Sequence, residues 1–240
     1  MSLMSGFVVA QSMTLDWSLK HARTGSVIPA GTHGSVQELL ISTGALPDPF
    51  YGKNEELFGW IEDHIWEFST SVQVTSEMLE KDFIQLDFPG IDTYAEVYYN
   101  DSLIGFAQNA FRPYHWEVKS LSKIGENSLR VVFYPPVLYH KESYNKASYH
   151  LPAPNDHHPV AVAPYTRKPQ YQFGWDWALR MNTIGFLKPV SVKSFNSAEV
   201  VGINIQTKAI HSDHALVSFD LILDKHVRTE LFSWESKLFG

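Results

Sequence analysis

Between Gln172 and Arg180 the chain reads Gln-Phe-Gly-Trp-Asp-Trp-Ala-Leu-Arg, a carboxylate set between two indoles. A carboxylate can accept paired hydrogen bonds from neighbouring hydroxyls of a sugar, while an indole packs against the C–H face of the ring. The same residues also fit an aromatic turn packed into a core. Asp176 would then need a cation, because a buried unpaired carboxylate is costly, and Arg180 and Lys168 are the candidates. The residue types alone leave both readings open.

The other constellations carry less. His157 and His158 stand beside Asp156 in a proline-rich stretch, and the chain holds 11 histidines. Adjacent histidines on a loop point opposite ways, whereas a zinc site needs three or four converging ligands, so no metal and no cofactor is expected. Asn54-Glu55 could be a sugar-positioning amide beside an acid/base carboxylate, but a glycosidase needs a second carboxylate at a set distance. A helix cap at Asn54 with Glu55 in the first turn satisfies both residues more simply. Neither a glycine-rich phosphate loop nor a serine nucleophile elbow is present.

The elements that must position these groups read mainly as strands. Ala95, Val97 and Tyr99 alternate toward one face, and Asn100-Asp101 suits a two-residue hairpin. Gly125-Glu126-Asn127 reads as a turn, with Leu129, Val131 and Phe133 alternating after it until Pro135-Pro136. Ile84, Leu86 and Phe88 form a third apolar face. Ile203 with Ile205, and Ala215, Val217, Phe219, Leu221 and Leu223, form further ones. Helix is expected over Ser35–Thr43, capped by Ser35 with Glu38 in a capping box and stopped near Gly44, and for one turn from Asn54. Residues 135–172 read as a structured loop crossing a sandwich edge. Many short strands and little helix imply an all-β antiparallel sandwich or jelly roll.

Composition narrows the function classes. The 240 residues are 44% hydrophobic and 14% aromatic, with a net charge of −7 and no cysteine. The acidic balance argues against a nucleic-acid backbone or an anionic membrane as partner, and no stretch is long and apolar enough for a membrane helix. Residues 1–14 read as a vector-derived remnant or, through Phe7–Ala10 and Gln11, as the tail of a secretory signal, which favours a periplasmic or secreted setting. A texture change near Phe195–Ser197 places a boundary between a first domain, 15–196, and a shorter unit, 197–240. About 45 residues are too few for a complete second sandwich.

Six phrases, in order from about Leu15 to Phe195, resemble the N-terminal region of β-mannosidases of glycoside hydrolase family two. They are LISTGALPDPFYGKNEE (40–56), WIEDHIWEF (60–68), DFPGIDTYAEVYYNDSLIG (87–105), NAFRPYHWEV (109–118), GENSLRVVFYPP (125–136) and YTRKPQYQFGWDWALR (165–180). The resemblance implies a galactose-binding-like jelly roll over 15–196, then the start of an immunoglobulin-like sandwich over 197–240. It further implies a (β/α)₈ barrel beyond, which carries both catalytic glutamates, so no catalytic residue is expected in this chain.

By the same resemblance Trp175 and Asp176 contact the terminal mannose at the barrel mouth, with Trp177 structural. The family continues Trp-Gly-Pro after the aspartate, whereas Trp177-Ala178-Leu179 stands here. The implied partner is a β-mannoside or other glycan, together with the barrel of the same polypeptide. Self-association through an incomplete second domain is also expected, because Phe219 and Leu221 would be uncovered. Two alternatives stand beside this reading: a stand-alone carbohydrate-binding module, and part of a related β-galactosidase or β-glucuronidase.

Overall fold

The computed structural model describes residues 11–196 and 198–225. The chain opens with β1 (Gln11–Thr14), β2 (Trp17–Lys20), β3 (Val27–Gly31) and β4 (Gly34–Ser35), then α1 (Val36–Ser42). Next come β5 (Trp66–Val74), α2 (Ser76–Glu80), β6 (Phe83–Phe88), β7 (Ile91–Asp92), β8 (Tyr94–Tyr99), β9 (Ser102–Gln108), β10 (Tyr114–Glu117) and β11 (Gly125–Tyr134). After α3 (Pro136–Lys146) follow β12 (Phe173–Trp175), β13 (Ala178–Arg180), β14 (Gly185–Phe186), β15 (Ser191–Phe195), β16 (Ala198–Ile210) and β17 (Ala215–Lys225).

Two antiparallel sheets form the sandwich, one in the order β3-β2-β5-β11-β8-β9 and the other β1-β15-β6-β10. The expected faces point between them: Ala95, Val97 and Tyr99 of β8, Leu129, Val131 and Phe133 of β11, and Ile84, Leu86 and Phe88 of β6 are all buried in one core. Aromatic contacts tie the layers together, with Trp17 of β2 6.4 Å from Phe88 of β6 and Phe186 between Phe68 and Phe133. Each such side chain contributes about 1.5–3 kcal/mol when fully removed from water.

Local signals act as their chemistry dictates. Asn100 and Asp101 both adopt positive φ, 45° and 62°, which matches the turn to the right-handed twist of β8 and β9. At α1 the Ser35 hydroxyl accepts from the Glu38 amide while the Glu38 carboxylate accepts from the Ser35 amide, closing the capping box.

Four details differ from the sequence expectations. Gly125-Glu126-Asn127 is already strand, pairing with Val74, Gln73 and Val72. Gln11–Thr14 pairs with β15, so the sheet begins before Leu15. The stretch from Pro135 holds the 11-residue helix α3, in which Pro136 occupies the first turn, where its missing N–H is harmless. Asn54 does not cap its turn. It lies inside a 3₁₀ segment, Asn54–Leu57, and donates from Nδ2 to the Asp48 carbonyl at 2.8 Å.

The strands β16 and β17 pair with one another as a long antiparallel hairpin with two register shifts. Ile203, Ile205 and Phe219 expose about half of their surface or more. The side chains of Leu221 and Leu223, the expected signal tail at Phe7–Ala10 and residues 226–240 lie outside the described residues.

Candidate functional site

The Trp-Asp-Trp stretch is the end of a two-stranded hairpin. Trp175 pairs with Ala178 and Phe173 with Arg180, so Asp176-Trp177 is the two-residue connection. Gly174 precedes it at φ +107°, and a Cβ there would sit 2.7 Å from the Asn155 carbonyl, so only glycine allows the strand to lie against that loop. The hairpin's base is apolar: Phe173 is buried in a small cluster with Val137 of α3, Val162 and Ala163.

Charge completes the anchorage. Arg180 donates through both terminal nitrogens to the Glu62 carboxylate and through Nε to Asp156 Oδ1 at 3.1 Å. Asp156 also accepts from the amides of Val162 and Ala163, at 2.8 and 3.2 Å, and Glu62 accepts from Asn182 Nδ2 at 3.1 Å. Burial alone would lower the pKa of Arg180, but the two carboxylates outweigh it and raise the value, so the guanidinium stays charged. Beneath lies a second buried pair, Lys168 Nζ at 3.0 Å from Asp92 Oδ1, with Nζ also donating to the Thr183 carbonyl at 2.7 Å. Burial pushes the Lys168 pKa below the usual lysine value, against the pull of Asp92.

These contacts correct the sequence expectation for Asp176. Neither Arg180 nor Lys168 is its partner, because Arg180 sits at the hairpin base and turns inward to Glu62 and Asp156, while Lys168 is committed to Asp92. Asp176 is exposed, and among the described residues no side chain pairs with it. Trp175 is 46% exposed and Trp177 83%, their rings 6.4 Å apart and nearly edge-on. Trp177, expected to be structural, is not buried among the described residues, and its ring contact is with Trp175.

Trp175 and Asp176 border a cleft of about 510 Å³, within the range of small-molecule sites. The exposed Glu55 and Glu56 also line it, Glu62, Arg180 and Asn182 form its buried or half-buried floor, and His157 joins from the loop. The structure thus brings Asn54-Glu55's segment to the same cleft as the Trp-Asp hairpin, which spacing in sequence did not reveal. Asn182 is buried, and its Oδ1 has no hydrogen-bond partner among the described residues. The sequence marks neither Glu62 nor Asn182, and it shows Asp156 only as a neighbour of His157 and His158, not as a partner of Arg180. No local pattern marks Glu62 as the partner of an arginine 118 residues away.

His158 lies off the cleft, its Nδ1 held by Val160. Among the described residues no group of three or more His, Cys, Asp or Glu side chains is arranged to hold a metal ion. Chemically the cleft offers a hydroxyl acceptor at Asp176, an indole wall at Trp175 and further carboxylates at Glu55 and Glu56.

Comparison with known proteins places the fold in a family. A model of the glycosyl hydrolase 2 galactose-binding domain-like family matches residues 17–188. A beta-mannosidase of Capra hircus is 31% identical over 194 residues, covering 79% of this chain and 22% of that protein. One of Bos taurus is 32% identical over 195 residues, with the same coverage. The crystal structure of a beta-D-mannosidase from Dictyoglomus thermophilum superposes with a TM-score of 0.80 at 30% identity, over 90% of this chain and 26% of that one. An uncultured Clostridium beta-glucuronidase shares the fold at a TM-score of 0.55 and 15% identity, over 93% of this chain and 35% of that one. The chain spans roughly a fifth to a quarter of the length of the curated relatives it matches, and corresponds to their N-terminal region.

Proposed function

The chain belongs to the glycosyl hydrolase 2 galactose-binding domain-like family, and on that premise we propose that it is the substrate-facing N-terminal portion of an exo-acting, retaining β-mannosidase. The observation that carries this reading is the clamped hairpin, which presents Trp175 and an unpartnered Asp176 over a polar cleft. In this role Asp176 accepts hydrogen bonds from hydroxyls of the terminal mannose remote from the cleaved bond, and Trp175 walls the ring. Retaining hydrolysis needs two carboxyl groups about 5–5.5 Å apart, one acting as nucleophile and the other as acid and then base. These come from a barrel domain of the same polypeptide, and this portion supplies positioning, which lowers the barrier by fixing the reacting geometry.

The charge of the cleft supports a neutral sugar over a uronate. Glu55, Glu56 and Asp176 surround it, and its cation, Arg180, is spent on Glu62 and Asp156. A carboxylated sugar would meet like charge there, which speaks against the β-glucuronidase alternative. Residues 197–240 are proposed as the beginning of an immunoglobulin-like domain. Its first hairpin, β16–β17, carries the uncovered apolar side chains through which isolated chains would self-associate.

The test compares the 240-residue chain with a longer polypeptide that includes the barrel. Turnover of an aryl β-mannoside is expected only from the longer form. There Asp176→Asn should lower kcat/KM about 10- to 100-fold, the value of hydrogen bonds to a charged acceptor, with the melting temperature unchanged. Turnover that co-purifies with the 240-residue chain and falls with Asp176→Asn would overturn the proposal, as would an unchanged kcat/KM in the longer form.

A further inference from the structure

A second cleft, of about 470 Å³, lies over the outer face of the six-stranded sheet where α3 covers the start of β8. It shares no lining residue with the first and has the opposite electrostatic character. Two guanidiniums, Arg112 and Arg167, line it, and no carboxylate does. Both are exposed, and among the described residues neither has an acidic partner, whereas the two cations at the site described above, Arg180 and Lys168, are each paired with carboxylates. Arg112 stacks over the Tyr114 ring at 4.9 Å, so its head is held while its donors stay free. Arg167 is fixed through its backbone, which bridges to Asn109 and accepts from the Ala110 amide at 2.9 Å.

The remaining wall is flat and rigid. Tyr139 of α3 lies face to face on Tyr94, ring centroids 3.9 Å apart and planes 8° from parallel, is also stacked with Phe106 at 5.9 Å, and keeps 42% of its own surface exposed. Tyr94 is in turn hydrogen-bonded through its hydroxyl to His140 Nε2 at 2.7 Å. Burial holds the His140 pKa below the usual imidazole value, so near neutral pH the cleft's charge comes from the two arginines. Gln108 and Asn109 add amide groups at the mouth. On a chain of net charge −7, two uncompensated guanidiniums beside an aromatic platform form a local trap for anions.

We propose that this cleft is a second ligand site, for an acidic sugar: Arg112 and Arg167 take a carboxylate or phosphate group, and the sugar ring packs on Tyr139. Guanidinium is the group best shaped for paired hydrogen bonds to either anion, and the exposed part of the Tyr139 ring offers apolar surface to the C–H side of a sugar. The site is independent of mannose recognition, since none of its groups touches the Trp175–Asp176 cleft.

The experiment is calorimetric titration of the 240-residue chain at low salt with glucuronate, glucose 6-phosphate, glucose and inorganic phosphate, each against the chain and its variants. Glucuronate or glucose 6-phosphate should bind at least about tenfold more tightly than glucose, and the stronger of the two identifies the anion. Arg112→Gln and Arg167→Gln should each weaken that binding about tenfold or more, and Tyr139→Ala should weaken the sugar phosphate more than phosphate. Both arginines are exposed, so the variants should keep their melting temperature, and Asp176→Asn should leave the titration unchanged. Failure of both acidic sugars to bind, or binding indifferent to both arginine substitutions, would overturn the site. Equal affinity for phosphate and glucose 6-phosphate would overturn the role of Tyr139.

Discussion

Replacing Arg180 by methionine tests whether the buried charges hold the hairpin. The substitution keeps an apolar stem of similar length and removes the fork that serves two carboxylates at once. Glu62, its side chain 6% exposed, would retain only the Asn182 amide, and Asp156, 0% exposed, would retain backbone amides alone. Breaking a buried pair from one side costs about 3–5 kcal/mol, because the stranded charge cannot recover its water. Two charges are stranded here, which raises the value, and the one-fifth exposure of Arg180 at the cleft floor lets some water in, which lowers it. A loss of about 3–5 kcal/mol therefore stands as the expectation, a large part of a typical 5–15 kcal/mol. Urea unfolding would read it directly as a lower midpoint. The double variant Arg180→Met with Glu62→Gln should be more stable than the sum of the two single losses, with a coupling of about 2 kcal/mol or more. Additive losses, or a loss below about 1 kcal/mol for Arg180→Met, would refute the idea that these charges fix the hairpin.

Three other outcomes follow from particular residues. Gly105→Ala should destabilise the fold by about 1–3 kcal/mol, since a Cβ there would lie 2.0 Å from the Trp116 indole nitrogen, and thermal unfolding would show it. Burial tends to raise the Asp87 pKa, but hydrogen bonds from Lys193, His115 and Gln85 and the Lys193 charge together hold it below the usual carboxylate value. Its stabilising contribution is thus complete above the unfolded value of about 3.9 and disappears as pH falls through the folded one, so the stability deficit of Asp87→Asn should shrink below about pH 4. Light scattering across concentration should reveal self-association that weakens when Ile203, Ile205 and Phe219, exposed on β16 and β17, become polar. A chain that stays monomeric would remove that proposal.

What was readable in the sequence was what short-range physics determines. Alternation placed Ala95, Val97 and Tyr99 in the core because a strand's side chains switch faces at every residue. Ser35 with Glu38 announced α1 because the capping box closes within one turn. Helix α3 escaped notice because Pro135-Pro136 reads as a stop, and because the polar and aromatic residues after it show no apolar stripe. At the site, Trp175 and Asp176 stood out by type, but their support did not. Arg180 meets Glu62, and Lys168 meets Asp92, only after the sheets have formed. Nor could the sequence say that Asp176 is solvated, and the expectation of a cation partner rested on its being buried.

An unpartnered carboxylate and two exposed indoles on a firmly clamped hairpin also bound what the isolated chain can bind. Hydrogen bonds to a charged acceptor are worth about 1.5–3 kcal/mol, and an aromatic face about 0.5–1.5 kcal/mol beyond its area. Losing the freedom of the ligand takes at least about 4 kcal/mol, so the two contacts offered by Asp176 and Trp175 leave almost nothing. Calorimetry with mannose should accordingly find binding weaker than millimolar, a standard free energy no better than about −4 kcal/mol. Micromolar affinity would need about twice that, more than one open wall can supply. It would make the chain a self-sufficient carbohydrate-binding module and sink the view that the pocket is completed by another domain. The clamp argues for completion: rigid support under a side chain that binds poorly alone is useful where a second wall must meet it at a fixed distance.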